Sequence, residues 1–273
     1  MTTRLGWRGL LAAVVAGVSA FSGAANAEAI VTFLKKESVE DGARMMVPEG
    51  NCVLANNVWD PKLTPEGFSQ SIFLEKRDGM IVPGWRWNAP GKRSTVLSMP
   101  EIICGDKPWD APLRLRSEFP FRAGAKRLQA SFDIDLKAEG RYDMAFSLWA
   151  VSKLPAVKEN ISLEIMIWTV DAGVPHYGVK TGTFQTGGMT FDVYVKPDQG
   201  VITGPDPFTW KLVEFVAQKP LLKGSIDFGD MIDYLLERKL LARDHYLTSL
   251  ELGNEVSDGT GSVEIRKLEF SVR

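Results

Sequence analysis

The segment ISLEIMIW, residues 161–168, places one carboxyl group inside an apolar run. Burying an ionised carboxylate among apolar groups is costly unless it is paired, protonated or facing a wet cavity. Side chains alternate along a β-strand, so the four aliphatic residues at odd positions share one face, which suits a core. The opposite face carries Ser162, Glu164, Met166 and Trp168. A carboxylate beside Met and Trp on one face predicts that this face forms the floor of a groove. The alternative is an incidental glutamate on a solvated face.

A second carboxyl group with matching strand parity lies in YLTSLELGNEV, residues 246–256. Leu250 and Leu252 are predicted to point into the core, while Glu251 and Glu255 lie on the other side. Two carboxyl groups across a groove can cleave a glycosidic bond, one as nucleophile or base and the other by protonating the leaving oxygen. We predict that Glu164 and Glu255 form this pair, with Glu251 the nearest rival.

Tryptophans accompany these strands. In DMAFSLWAV, Ser147 and Trp149 share the groove side, and in GWRWN, Trp85 and Trp87 share one face. Aromatic rings beside carboxylates, with almost no basic residues nearby, are suited to stacking on sugar rings. The alternative for each tryptophan is a place in the core.

These residues lie in short segments in which apolar and polar residues alternate, and the segments are separated by Gly, Pro, Asn and Asp. Many such strands predict an all-β fold, a jelly-roll sandwich of two antiparallel sheets with a concave groove. One helix is predicted in SIDFGDMIDYLLERKLL, residues 225–241, where apolar residues recur at helical spacing. Ser225 or Asp227 would cap it, and it would pack on the outside of one sheet.

The N-terminal residues 1–27 have the pattern of a secretory signal peptide: Arg4 and Arg8, a short apolar run, and the small-residue site Ala25–Ala27. An uncleaved anchor is the alternative. Residues 28–50 lack periodicity and are predicted to be an N-terminal lead-in, followed by a single catalytic domain over residues 51–273. The mature protein is expected to be secreted or periplasmic.

Composition narrows the function classes. The formal charge of −2 argues against nucleic acid or an anionic membrane surface as a partner, and loss of the two signal arginines makes the mature chain more negative. Two histidines and two cysteines leave little for a metal site, so no metal or cofactor is expected. In an oxidising compartment Cys52 and Cys104 can form a disulfide, with two buried free thiols the alternative. A monomer is expected.

Several motifs in order resemble glycoside hydrolase family 12. They are NNVW at 56–59, WRWN with VLSMPEIICGDKPW, LEIMIW followed by GVPHYG, LVEFVA, and HYLTSLELGNE. The resemblance spans residues 51–273 and is most specific in EIMIW paired with the C-terminal GNE. It implies a retaining endo-β-1,4-glucanase or xyloglucanase on a β-jelly roll.

By position, the resemblance makes Glu164 the nucleophile and Glu255 the acid/base. Retention implies carboxyl groups about 5–5.5 Å apart, and inversion about 6.5–9.5 Å. The substrate-binding residues that the motifs and strand faces indicate are Asn56, Trp59, Trp85, Trp87, Ser147, Trp149, Met166 and Trp168.

The chain departs from the family pattern at Ser147, where members commonly carry an aspartate near the nucleophile. Asp143 lies four residues away along the strand, which is too far to substitute simply. Asn254 and Val256, beside the second glutamate, indicate altered groove walls. These departures affect the expected substrate more than the expected reaction.

We therefore expect an exported endo-acting hydrolase of β-1,4-glucosidic bonds, with a β-glucan polysaccharide or oligosaccharide as partner. A non-catalytic β-glucan-binding protein on the same fold is the alternative from another class. Plain cellulose, mixed-linkage glucan and xyloglucan all stay open as substrates, because the groove loops decide among them. In one such loop His176 and Tyr177 line the groove or merely shape a turn.

Overall fold

The computed structural model describes residues 43–47, 51–59, 61–77, 79–113, 117–200 and 209–273. The predicted signal peptide and most of the predicted lead-in lie outside these residues. Inside the lead-in, residues 43–47 form a strand that pairs with the next one, although no periodicity indicated it.

Strands make up most of the described chain, as the alternating pattern predicted, and two of them are long. The strands are β1 (Ala43–Val47), β2 (Cys52–Asn56), β3 (Ser69–Arg77), β4 (Met80–Ala89), β5 (Glu101–Gly105), β6 (Phe121–Arg122), β7 (Leu128–Val151), β8 (Ile161–Asp171), β9 (Val179–Thr186), β10 (Met189–Gln199), β11 (Trp210–Ala217), β12 (Lys223–Asp227), β13 (Tyr246–Leu247), β14 (Ser249–Gly253) and β15 (Val256–Val272). The helix is α1 (Phe228–Glu237), and a single 3₁₀ turn covers Lys158–Asn160.

The strands form two packed sheets, which confirms the predicted β-sandwich. The larger sheet runs in the order β1-β2-β5-β14-β7-β8-β11-β10-β9. The smaller sheet runs β3-β4-β15-β7-β12. The long strand β7 belongs to both sheets. The pairs are antiparallel except β8 with β11, which is parallel.

The core lies between the two sheets. Phe132, on the part of β7 in the smaller sheet, packs edge-on against Phe146, on its part in the larger sheet, with ring centroids 5.1 Å apart. The aliphatic face predicted for β8 is confirmed at Leu163, Ile165 and Ile167. Ile161 instead packs with two tryptophans on the groove side, because the register of β7 against β8 shifts between Ala150 and Val151.

Helix α1 begins after Asp227, whose carboxylate accepts a hydrogen bond of 2.8 Å from the backbone N–H of Gly229. Asp227 rather than Ser225 is therefore the cap. Phe228 packs against Phe146, 5.2 Å between centroids, so the helix lies on the side of the larger sheet opposite the groove, as predicted. Within the described residues, no helix is long and apolar enough to cross a membrane.

A disulfide joins Cys52 and Cys104, with the two Cα atoms 4.3 Å apart. The two residues face each other in the pairing of β2 with β5. This confirms the predicted bridge. It fixes the register of two strands that both contribute residues to the groove.

Candidate active site

The concave face of the larger sheet holds a cavity of about 560 Å³. Five carboxyl groups line it, from Glu101 on β5, Asp110 in the loop after β5, Glu164 on β8, Glu251 on β14 and Glu255 just after β14. The sequence-predicted residues that line the same cavity are Asn56, Trp59, Ser147, Trp149, Glu164, Met166 and Glu255. Strand parity therefore placed most of the predicted groove residues on the correct face.

Glu164 sits on the cavity floor, as its place in β8 predicted. The indole N–H of Trp210 donates a hydrogen bond of 2.9 Å to its Oε2. Burial raises the pKa of Glu164 to about 7, while the hydrogen bond from Trp210 and the positive charge of Lys107 both act to lower it. Both neighbours thus favour the ionised carboxylate.

Glu255 lies in a different environment, beside another carboxyl group. Its backbone N–H donates to Asp143 Oδ1 at 2.8 Å, and both side chains are buried. Burial raises the pKa of Glu255 well above its usual range, and repulsion from Asp143 and Glu164 raises it further. These causes favour the protonated acid.

Asp143 does reach the site, at Glu255, a contact that was not predicted, while the expectation that it lies too far along its strand to substitute at Ser147 is not contradicted. The expectation counted positions from Ser147 along β7 alone. In the structure the chain leaves β14 and passes the point where β7 enters the larger sheet, where the backbone N–H of Asp143 also donates to the carbonyl of Glu255 at 3.1 Å. Asp143 supports the second glutamate and not the position that Ser147 occupies.

Ser147 itself lies in the centre of the groove floor. In the strand register it is opposite Glu251 on one side and Met166 on the other. It is buried and lines the cavity. The groups that act on the pKa of Glu164 are Trp210 and Lys107, which lower it, and Glu101, which raises it.

A buried ion-pair network occupies the floor on the β5 side. Lys107 Nζ lies 2.7 Å from Glu101 Oε1 and 3.0 Å from Glu251 Oε2. Burial raises the pKa of Glu101 to about 8, against the lowering effect of the lysine, and the two carboxylates hold the pKa of Lys107 above its usual range. Glu101 and Lys107 lie in the motif VLSMPEIICGDKPW, but no site role was predicted for either residue, because one charged residue in a strand or turn has no distinctive spacing.

Exposed tryptophans border the cavity. Trp59 is 48% exposed, and Trp109 is 38% exposed. Trp109 meets Trp210 and Trp149 edge-on, with centroids 5.3 and 6.0 Å apart, which fixes its ring at the wall. Trp109 and Trp210 were not predicted as site residues, although Trp109 ends the motif VLSMPEIICGDKPW and Trp210 begins strand β11. Such rings provide flat apolar surfaces for sugars.

Trp85 and Trp87 do not line the groove, which corrects their assignment to substrate binding. Both are buried in the core between the sheets. Parity placed them correctly on one face of β4, but β4 belongs to the smaller sheet and that face points inward. The indole N–H of Trp85 bonds to the side chain of Asn254, so it supports the segment that carries Glu255 from behind.

Trp168 also requires correction, for a different reason. It has the predicted parity on β8, but it is fully buried and packs 4.9 Å from the His176 ring, centroid to centroid. His176 in turn stacks on Tyr194 at 4.3 Å. The neighbouring Tyr177 lines the cavity, so this loop places one ring in the wall and the other beneath it.

A further buried carboxyl group, Glu214, lies under this loop. It accepts a hydrogen bond of 3.3 Å from the backbone N–H of Tyr177. Burial raises its pKa to about 7, and the charges of Glu164 and Asp171 act in the same direction. In the described part of the chain, no group of three or more His, Cys, Asp or Glu residues has an arrangement that could hold a metal ion.

The site thus combines two carboxyl groups in opposed environments, exposed tryptophans and a neutral-to-acidic groove floor. A β-sandwich with such a groove defines a carbohydrate-active enzyme. A model of glycosyl hydrolase family 12 matches residues 51–273, and the chain belongs to this family. It is a glycoside hydrolase, which decides against the alternative of a non-catalytic binding protein.

Relatives of known name agree with this assignment. Endoglucanase S of Pectobacterium parmentieri is 25% identical over 246 residues, covering 89% of this chain and 90% of that protein. The xyloglucan-specific endo-beta-1,4-glucanase A of Emericella nidulans is 25% identical over 224 residues, covering 77% and 81%. The solved structure of a native family 12 xyloglucanase from Bacillus licheniformis matches with a TM-score of 0.77 at 25% identity, covering 87% of this chain and all of that one. The fold is the β-jelly roll of that family.

Proposed function

We propose that this protein is an exported endo-acting hydrolase that cleaves β-1,4-glucosidic bonds with retention of configuration. Glu164 is the nucleophile and Glu255 the general acid/base. The names of the relatives support an endo-glucanase or xyloglucanase activity. The signal pattern of residues 1–27 supports export.

The observation that carries the roles is the contrast between the surroundings of the two glutamates. Trp210 donates a hydrogen bond to Glu164, and Lys107 adds a favourable charge. Glu255 instead lies beside the carboxyl group of Asp143. Repulsion between the two negative charges disfavours ionised Glu255 and so stabilises its protonated form. Environments that push two carboxyl pKa values apart assign the proton to one of them.

The reaction then proceeds in two displacements. Glu164 attacks the anomeric carbon while Glu255 donates its proton to the departing oxygen, which leaves a glycosyl-enzyme. Glu255, now ionised, takes a proton from water, and that water attacks the anomeric carbon and releases Glu164. The chain's own carboxyl groups supply every proton transfer in this scheme.

The substrate is a neutral β-glucan such as cellulose, mixed-linkage glucan or xyloglucan. Trp59, Trp109 and Tyr177 offer ring surfaces at separate points of the groove wall. A groove that admits sugars along its length supports internal cleavage of a long chain. The mature enzyme acts as a monomer in this proposal.

The test is hydrolysis of barley β-glucan, carboxymethylcellulose and xyloglucan by the wild type and by Glu164→Gln. We expect wild-type activity on at least one polymer, and a loss of about 10⁴-fold or more in Glu164→Gln because the nucleophile is removed. Glu159→Gln, an exposed glutamate in the turn before the same strand, is the matched control and keeps full activity.

No hydrolysis of any of the three polymers by wild type would overturn the proposed activity. Equal activity of wild type and Glu164→Gln would overturn the nucleophile assignment. NMR of the anomeric configuration of the first products distinguishes retention from inversion. A β-anomer formed first supports retention, and an α-anomer contradicts it.

A further inference from the structure

The loop between β8 and β9, residues 172–178, contains a histidine that the cleavage mechanism does not use. Only 22% of the His176 side chain is exposed. Its Nε2 lies 3.4 Å from Asp171 Oδ2, and its Nδ1 lies 3.8 Å from Glu214 Oε2. Each of the two ring nitrogens therefore faces a carboxylate oxygen.

This arrangement favours a charged ring. A neutral imidazole has one N–H and can donate a hydrogen bond to only one carboxylate, whereas an imidazolium donates from both nitrogens. Nδ1 of His176 and Oε2 of Glu214 are both buried, and neither has a hydrogen-bond partner among the residues that the structure describes. Buried polar atoms are costly to leave unpaired, and a proton on Nδ1 gives each of these two atoms a partner.

The charges around the ring favour the same state. Asp143 lies opposite Asp171 in the register of β7 with β8, and Asp192 on β10 is paired with Lys180 at 2.6 Å. A positive imidazole therefore offsets an excess of negative charge. The titratable and charged groups that face the ring come from β8, β10, β11 and the loop itself, and they are Asp171, Asp192, Tyr194, Lys196, Glu214 and Tyr177.

The same contacts fix the backbone of the next residue. The ring of His176 lies between those of Trp168 and Tyr194, so its two faces are held as well as its two nitrogens. Glu214 uses its other oxygen, Oε1, to accept the hydrogen bond from the backbone N–H of Tyr177. One carboxylate thus joins His176 to the residue that lines the groove.

Tyr177 lies close to the reacting pair of carboxyl groups. It lines the cavity together with Glu164 and Glu255. Burial raises the pKa of its phenol above the usual range, and the charges of Glu255, Asp143, Glu214 and Glu164 act in the same direction, so the phenol stays neutral. A shift of about 1 Å in a group at a reaction centre can cost about 100-fold in rate.

We propose that His176 is a positioning residue: as an imidazolium between Asp171 and Glu214, it holds Tyr177 beside the two glutamates that cleave the substrate. The proposal rests on the proposed function, because it assigns a role in the same reaction. In the motif GVPHYG the histidine then shapes the loop and the tyrosine forms the groove wall.

The first measurement needs no turnover. The chain has one other histidine, His245, so NMR signals of the two imidazoles can be assigned by comparison with His245→Gln. Glu214→Gln keeps the shape of the side chain and removes the charge that faces Nδ1. The midpoint of the His176 titration should therefore move about one unit to lower pH. The His245 titration should stay in place, which provides an internal control.

The second measurement is a double-mutant cycle with Tyr177. On a polymer that the wild type hydrolyses, His176→Gln should lower kcat about tenfold and change KM little, because the displaced group lies at the reaction centre. In the Tyr177→Ala background the same substitution should cost nothing further, since its effect passes through Tyr177. A general loss of structure would lower kcat in both backgrounds.

The pH dependence tests the charge on the ring. The ratio of wild-type kcat to that of His176→Gln should be largest near pH 5 and shrink toward about pH 9, where the wild-type imidazole is itself neutral. His245→Gln is the matched control, and its ratio should be the same at every pH. Melting temperatures are measured alongside. If His176→Gln folds poorly, Glu214→Gln provides the comparison and should lower kcat through Tyr177 in the same way.

The outcomes separate this proposal from the proposed function. An unmoved His176 titration in Glu214→Gln overturns the charged pair, and a pH-independent ratio overturns its role in catalysis. An equal loss of kcat with and without Tyr177 overturns action through that residue. If the wild type hydrolyses no polymer but the titration still moves, the proposed function fails and the ion pair that holds the loop remains.

Discussion

The carboxylate of Asp143 accepts a hydrogen bond from the backbone N–H of Glu255 at 2.8 Å, so two buried acids share one corner of the groove. Burial also raises the pKa of Asp143 well above its usual range. Groups this close titrate together, and the pair retains a proton to a higher pH than either group would alone. This relationship provides Glu255, the proposed acid/base, with a neighbour that favours its protonated form.

Asp143→Asn should shift the pH dependence of hydrolysis. Removing the neighbouring charge lowers the pKa of Glu255, so the acid loses its proton at lower pH. The basic limb of kcat/KM should move about one unit toward acid pH. Asparagine still accepts the backbone hydrogen bond, so the fold should persist. A pH profile measures the shift, and Asp135→Asn, in the smaller sheet, is the control. An unmoved basic limb would contradict the role given to Asp143.

Trp210→Phe should act on the opposite limb. The indole hydrogen bond to Glu164 lowers the pKa of that carboxyl, so its loss raises the pKa and the nucleophile becomes ionised only at higher pH. The acidic limb should move to higher pH by about half a unit to one unit. Trp149→Phe removes an indole N–H bonded to Glu251 and should leave this limb in place. If both variants shift it equally, the hydrogen bond to Glu164 is not the cause.

Glu255→Gln should discriminate between leaving groups. Protonation by a general acid is worth about 10²–10⁴-fold, and it matters most when the departing oxygen is strongly basic. We therefore expect a large loss of kcat on β-glucan and a much smaller loss on an aryl glycoside with an activated phenol. Steady-state rates on the two substrates give the comparison. Equal losses on both would count against Glu255 as the acid.

The Cys52–Cys104 bridge should contribute strongly to stability. It closes a loop with a sequence separation of 52 residues, for which chain entropy predicts about 4 kcal/mol. The free energy of unfolding of the double Cys→Ala variant should be lower by this amount, so the variant should unfold at a lower denaturant concentration. Thiol titration of the unfolded, unreduced wild type should find no free thiol at either position. Two reactive thiols there would exclude the bridge in the purified protein.

Much of the groove could be predicted from the sequence, because strand parity depends only on local alternation. Glu164, Met166, Ser147 and Trp149 all lie where parity placed them. Parity cannot tell which face of a strand is covered, and that information lies in the packing of sheets and loops. For this reason Trp85 was assigned to the groove although it belongs to the core.

Residues that reach the site through tertiary contacts escaped prediction altogether. Lys107 lies in the turn after β5, and Trp210 begins a strand that joins β8 from a distant part of the chain. The expectation for Asp143 considered only its distance along β7, whereas its partner, Glu255, lies in the C-terminal part of the chain. Long-range pairing produces such neighbours, and no local pattern encodes it.

The strand β7, from Leu128 to Val151, pairs in both sheets. Its C-terminal half carries Asp143, Ser147 and Trp149, and its N-terminal half is covered by β12 and β15. Neither sheet can come apart without disturbing this common strand, so the sandwich should melt in one cooperative transition. A substitution that destabilises the smaller sheet therefore also disturbs the groove, because the two sheets share one continuous strand. Stability and catalysis in this enzyme are coupled for this reason.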